Sequence, residues 1–401
     1  MTAIRTWRFW VIVAAAGLWV VAAALLWRTS VPGDLNIAHL DTRDFFSTRH
    51  LERSESYQRG LRALWIGATL VQLAVLVLAV RLAPRTGWRG IPGGVALGAL
   101  TLVAVWLAGL PFVLAAHWWR RRYGISRSDY STILVDPWLA EIGSLAVACI
   151  AIALVMLLAR RLGDRWWLVG GPAFAALVSA FILAQPLLLV PRLEPLRNRQ
   201  LAAQIRQLAR EQRVGDVDVE VQDASRRTRA INAEFYGLGP TKRVILWDTA
   251  LDGRLSRAEI LTLVAHEFGH VKSNHVWKSV GWIFLFAIPG AYVVARVTRR
   301  RGGLGTAPAV PLALLTLVVL QLALLPVVNA ISRRYEAEAD WRALQATHDP
   351  RAFEGLMREL SDASLSQPDP PEWAQIVLDT HPTPLQRIAM ARSVEASRAG
   401  S

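Results

Sequence analysis

Seven stretches of this chain are apolar over close to the length a helix needs to cross a bilayer, about 20 residues: residues 9–27, 61–82, 95–117, 138–159, 167–190, 279–295 and 309–328. No other feature narrows the fold as much. In hydrocarbon every backbone N–H and C=O must find its partner inside the segment, which leaves helices as the form such stretches take. Composition agrees: 53% of residues are hydrophobic and 19% charged, where a soluble domain carries about 25% charged. Tryptophans gather at the ends of the stretches, as at Trp7, Trp10, Trp118, Trp119, Trp166 and Trp167, where an indole ring sits well between headgroup and acyl chain. The first stretch lacks a clear small-residue cleavage site and reads as a retained anchor.

The net charge is +14, nearly all of it arginine. Much of it lies in short clusters closing apolar runs: Arg120-Arg121-Arg122, Arg160-Arg161 and Arg299-Arg300-Arg301. Headgroups are the natural partner of that pattern. No nucleic-acid-binding module is present to claim it, so the expected partner is the lipid bilayer and no nucleic acid. A transporter is disfavoured, because the spans carry no ionisable residue near their middles and no matched pair of broken helices. The single cysteine, Cys149, excludes an intrachain disulfide. The arginine-rich, lysine-poor composition is that of a GC-rich, bacterial coding sequence.

Between the fifth and sixth spans the chain turns polar. Residues 193–213 carry a helical period (Leu196, Leu201, Ile205, Leu208), and 216–222 alternate Val217, Val219 and Val221 against charges as a half-buried strand does. Residues 242–247 and 230–235 predict two more strands, with the turn between them at Gly237-Leu-Gly-Pro-Thr. The expected organisation is an N-terminal membrane region (1–190, about five spans), a small sheet with a functional helix (191–275), two further spans (276–329) and a helical C-terminal part (330–401).

The chemistry sits in His266-Glu267-Phe268-Gly269-His270. Positions i and i+4 of a helix face one way, so both imidazoles can reach one Zn²⁺ while the glutamate between them polarises a water. The spacing arises by chance in a chain of this composition only about 0.01 times. Ser256 and Glu259 form a capping box that starts the helix. A catalytic zinc takes three protein ligands and leaves one position open. Downstream, His275, Glu338 and Glu336 are candidates for the third. His275 has the wrong spacing for a metzincin-type extension and reads as an interfacial histidine ahead of a span. Glu336 is preferred because Asp340 lies one turn on, on the same face, placed to bond a ligand imidazole.

At this point the residues resemble a family. Asn329-Ala-Ile-Ser-Arg-Arg-Tyr-Glu-Ala-Glu-Ala-Asp340, after a span and after the His-Glu-x-x-His motif, is similar to the integral-membrane zinc endopeptidases of the type I CAAX prenyl protease family, whose relatives include the HtpX-like heat-shock proteases. Thr380-His381-Pro382-Thr-Pro-Leu-Gln-Arg387 resembles that family's C-terminal His-Pro…Arg motif. The resemblance implies a mostly α, polytopic membrane protein of about seven transmembrane helices with a gluzincin-type α+β zinc metallopeptidase domain. It implies one zinc per chain on His266, His270 and Glu336, with Asp340 behind them. It also brings His381 and Arg387 to the cleft, where either side chain can donate to a developing oxyanion. Glu267 is the expected general base, and argues against an inactive zinc-stabilised scaffold. A peptide substrate is expected to add as a strand at Asn232–Phe235, through main-chain bonds of Asn232 and Ala233. Arginines flank the spans on both sides, so charge does not orient the chain. The resemblance implies a cytoplasmic metal site acting on a protein or peptide tail or, as in the HtpX-like relatives, on misfolded membrane proteins, and the composition points to a bacterial cell membrane.

Overall fold

The structure, a computed structural model, describes residues 2–33, 35, 40–135, 137–188, 193–237 and 239–399. The membrane region is built from α1 (Thr2–Trp27), α2 (Thr48–Leu82), α3 (Gly90–Arg122), a short α4 (Tyr130–Leu134), α5 (Pro137–Leu162) and α6 (Trp167–Leu188). Then come β1 (Leu193–Pro195), α7 (Arg199–Glu211), β2 (Asp218–Gln222), β3 (Ala233–Tyr236), β4 (Arg243–Trp247) and α8 (Arg257–Lys272). The chain ends with α9 (His275–Thr298), α10 (Val310–Thr347), α11 (Pro350–Ser364), α12 (Glu372–Val377) and α13 (Pro384–Ala399).

Six helices among the described residues (α2, α3, α5, α6, α9 and α10) are long and apolar enough to cross a membrane. Helix α1 adds a shorter apolar run, Val13–Trp27, so about seven spans fit. Leu189 and Val190, at the end of the fifth expected span, lie outside the described residues, as does Leu238 of the expected turn. Two helices, α2 and α10, run furthest past their apolar stretches. The polar first turns of α2 dock His50 on α11, with its Nδ1 2.6 Å from Asp362 and its Nε2 3.1 Å from the Ser361 hydroxyl. Helix α10 continues unbroken past residue 329 into the soluble part.

The sheet runs β1-β2-β4-β3, with β2 parallel to β4 and the other pairs antiparallel. Strand β1 corrects the sequence reading, which gave residues 193–213 to one helix. Pro195 cannot donate within a ladder and suits an outer strand, and Asn198 caps α7 by accepting from the Leu201 N–H. The turn after β3 depends on Gly237: its φ is +89°, and a Cβ there would lie 2.0 Å from the Thr241 carbonyl oxygen. The inner face of the sheet (Val219, Ala233, Val244, Leu246) packs with α7, α8, α11 and α13 around Ile205, Val264, Phe268, Phe353 and Ile388. This core joins residues on both sides of the last two spans, so the unit around the sheet is two chain segments folded together.

Candidate metal centre

Helix α8 begins at the capping box: the Ser256 N–H donates to Glu259 at 2.6 Å, and Ser256 Oγ accepts from the Glu259 N–H. It buries Ile260, Leu263, Val264 and Phe268 and presents His266, Glu267 and His270 to a cavity. Helix α10 comes in against it at Gly269. A Cβ there would stand 2.9 Å from the Ala339 carbonyl oxygen and 3.1 Å from Arg342 Cβ, so only glycine permits this approach. Glycine inside a helix is disfavoured by about 1 kcal/mol relative to alanine. That penalty is the signal that a packing role was present, and the sequence reading passed over it.

The approach brings Glu336 to the histidines. His266 Nε2 lies 3.1 Å from His270 Nε2 and 3.2 Å from Glu336 Oε2, and His270 Nε2 lies 3.5 Å from Glu336 Oε1. Ligand bonds of about 2.0–2.2 Å around a tetrahedral ion give edges of about 3.3–3.6 Å, so these separations fit one zinc-sized ion. Glu336 Oε2 is also buried without a hydrogen-bond donor, the condition of a group awaiting a cation. Among the described residues these three could together hold a metal ion.

Asp340 is fully buried and accepts from His266 Nδ1 at 2.8 Å. An ionised carboxylate only accepts, so Nδ1 carries a proton and Nε2 is the nitrogen that faces the metal position. Arg387, expected as a donor to the reacting carbonyl, is committed elsewhere. Its Nε and terminal nitrogen hold the two oxygens of Asp340 at 2.7 and 2.5 Å, behind His266. His381 does reach the cleft: its Nε2 is 3.3 Å from Glu336 Oε2, at the exposed rim. His275, read as an interfacial histidine, is buried instead, 2.8 Å from His270 Nδ1, and Glu338 lies behind it.

The electrostatics suit proton transfer and metal capture. Burial pushes the Glu267 carboxyl above its ordinary pKa; His266 and His270 pull it down, while Glu336 and Glu234 push it up again. Burial opposes a charge on His266, but Asp340 and Glu336 outweigh burial and push its pKa up to about 10 in the metal-free protein. The cavity in front measures about 880 Å³. Glu267 and Phe235 line one side, and Trp282, Phe286, Leu324 and Val328 of α9 and α10 line another.

Ala233, on β3, lies at the free edge of the sheet, whereas Asn232, also expected to bond a substrate there, turns its main chain to β4. Among the described residues β3 pairs only with β4. The Asn232 carbonyl accepts from the Trp247 N–H at 3.1 Å. Alternation in an antiparallel ladder then turns the Ala233 and Phe235 main-chain groups outward. Asn232 and Tyr236 both donate to Glu234, at 3.0 and 2.5 Å, which stiffens the strand.

Known proteins resemble this chain in sequence and in fold. A curated relative from Bacillus subtilis, an uncharacterized metalloprotease YhfN, is 28% identical over 96% of this chain and 97% of its own length. A CAAX prenyl protease 1 homolog of Arabidopsis thaliana is 30% identical over 43% of this chain and 45% of its own. The crystal structure of S. mikatae Ste24p superposes with a TM-score of 0.72 at 18% identity, covering 94% of this chain and 96% of that one, and so shares the fold. Residues 195–395, which hold strands β2 to β4, both metal-site helices and the C-terminal helices, match peptidase family M48, and the chain belongs to that family as a membrane zinc metalloendopeptidase.

Proposed function

We propose that one zinc ion per chain binds at His266, His270 and Glu336, and that this site cleaves polypeptide tails presented from the bilayer. The observation that supports this most is the tetrahedral spacing of three ligand atoms on the wall of an 880 Å³ cavity that apolar membrane helices also line. When bound, zinc supplies Lewis acidity to the scissile carbonyl and brings the pKa of a water towards 7. Glu267 accepts the proton of the attacking water and returns it to the leaving amine. His381, at the rim, donates to the oxygen that gains charge. Asp340 and Arg387 hold His266 in the tautomer that binds metal. The outer edge of β3, at Ala233 and Phe235, holds the substrate backbone extended. Apolar walls favour a substrate with an apolar or lipid-modified tail, the kind of substrate the CAAX protease relatives' names denote. The bacterial relative, matched over nearly its whole length, favours a bacterial cell membrane, and the family resemblance favours a metal site on its cytoplasmic side.

Glu267→Gln tests the reading. The variant should bind zinc as the parent does and lose about 10²–10⁴ in kcat, or more. Trapping in native membranes followed by peptide mass spectrometry then identifies the tails that accumulate. Near-normal turnover by the purified variant sinks the mechanism.

A further inference from the structure

His270 Nε2 faces the metal position, and its Nδ1 lies 2.8 Å from His275 Nδ1. On the far side, His275 Nε2 meets Glu338 Oε2 at 3.0 Å. Glu338 Oε1 accepts from the Ser30 N–H at 2.8 Å, and Lys278 Nζ approaches Oε2 at 3.3 Å. The His275 ring is stacked on Tyr335, with centroids 4.5 Å apart and planes 7° from parallel. His275 and Glu338 are both buried, at 4% and 3% exposure.

Hydrogen-bond inventory decides who donates. An ionised carboxylate has no proton to give, so His275 Nε2 carries the hydrogen. A neutral imidazole has one N–H, which makes His275 Nδ1 an acceptor. The group facing it, His270 Nδ1, must then donate, and the His270 lone pair is left on Nε2. We infer that His275 and Glu338 are positioning residues for the metal ligand His270: a carboxylate–imidazole brace that fixes its tautomer and ring angle, and that is itself anchored by the chain leaving α1. The inference rests on the proposed ligand set. The brace is the counterpart, one imidazole longer, of the Asp340 bond to His266. Lys278 Nζ donates to the Arg28 carbonyl, Arg334 to that of Trp27 and Tyr335 to that of Leu26, so the segment carrying Ser30 is tied to the metal-site helices at several points. A ligand held in this way typically binds metal about 10–100-fold more tightly than one without its outer partner.

The test is zinc affinity of the full-length protein, by chelator competition at one fixed pH, together with the d–d spectrum of the cobalt-substituted protein. His275→Phe keeps a ring for the Tyr335 stack but cannot accept from His270. His275→Asn returns an acceptor near the position of Nδ1. His275→Phe should raise the zinc Kd by about 10–100-fold and alter the cobalt spectrum. His275→Asn should recover most of both, and Glu338→Gln should fall between. If His275→Phe does not fold, the Asn and Gln variants carry the comparison. An unchanged Kd in His275→Phe, an equal loss in Phe and Asn variants, or a parent-like Kd in Glu338→Gln overturns the brace. Failure of the parent to bind zinc, or parent-like binding by Glu336→Ala, overturns the ligand set instead.

Discussion

Glu336, Glu338 and Asp340 alternate with alanines on a single turn and a half of α10, and each is turned to a different task. Glu336 faces the ligand atoms, Asp340 backs His266, and Glu338 ends the brace behind His270. Helical spacing alone separates Glu336 and Asp340 from Glu338, which is why the sequence could order the three candidates. The His-Glu-x-x-His spacing was legible for the same local reason. His275 was not. Its neighbours in sequence are those of an interfacial residue, and the carboxylate that defines it, Glu338, lies 63 positions away. Arg387 was legible as a cleft residue but not as one already bound by Asp340. The raised pKa of His266, about 10 without metal, has a consequence at neutral pH. Its sign follows directly: below that pKa the metal-free site holds a proton, and zinc must displace it. Apparent zinc affinity should fall by about tenfold for each unit of pH lowered through the neutral range, with about one proton released per zinc from this group. Calorimetry in buffers of different ionisation enthalpy counts the proton, and an affinity flat across that range refutes the coupling.

Among the elements, the strands were readable because one face of each is buried and the alternation of apolar residues survives in the sequence. Strand β1 was missed because three residues ending in Pro195 hold no period. The polar start of α2 was missed because an apolar-run criterion stops at charge, whereas the helix continues until His50 finds its partners on α11. The edge strand β3 yields the most direct test. Its hydrogen bond from Trp247 N–H to Asn232 leaves the Ala233 N–H pointing away from the sheet. Proline at Ala233 removes that donor without breaking the ladder to β4. The variant should raise KM several-fold, by about the 1 kcal/mol or so of one backbone hydrogen bond or more, and leave zinc affinity where it was. An unchanged KM for Ala233→Pro removes β3 as the substrate edge.

The whole molecule shows what patterning can and cannot convey. Span number follows from hydropathy, since six helices and the apolar run of α1 account for the seven stretches. The cavity does not, because it is made by side chains from helices distant in sequence. Helix α10 joins the two regimes: its apolar window lies among the membrane helices, and the same rod, 38 residues without interruption, carries Glu336. From the middle of the apolar run to Glu336 is about 18 residues, a lever of about 27 Å. Tilting such a lever by about 2° displaces its tip by about 1 Å, and helices answer a change in hydrocarbon thickness by tilting. Bilayer thickness should thereby act as a mechanical input to the catalytic geometry. Reconstituted into phosphatidylcholines with acyl chains of about 14 to 22 carbons, the enzyme should show a turnover optimum at one thickness while its zinc content stays constant. Turnover constant across the series excludes the lever. Pro326 stands between pivot and tip, the place where a helix bends most easily, so Pro326→Ala should sharpen that optimum: the membrane would then steer the carboxylate through a stiffer arm.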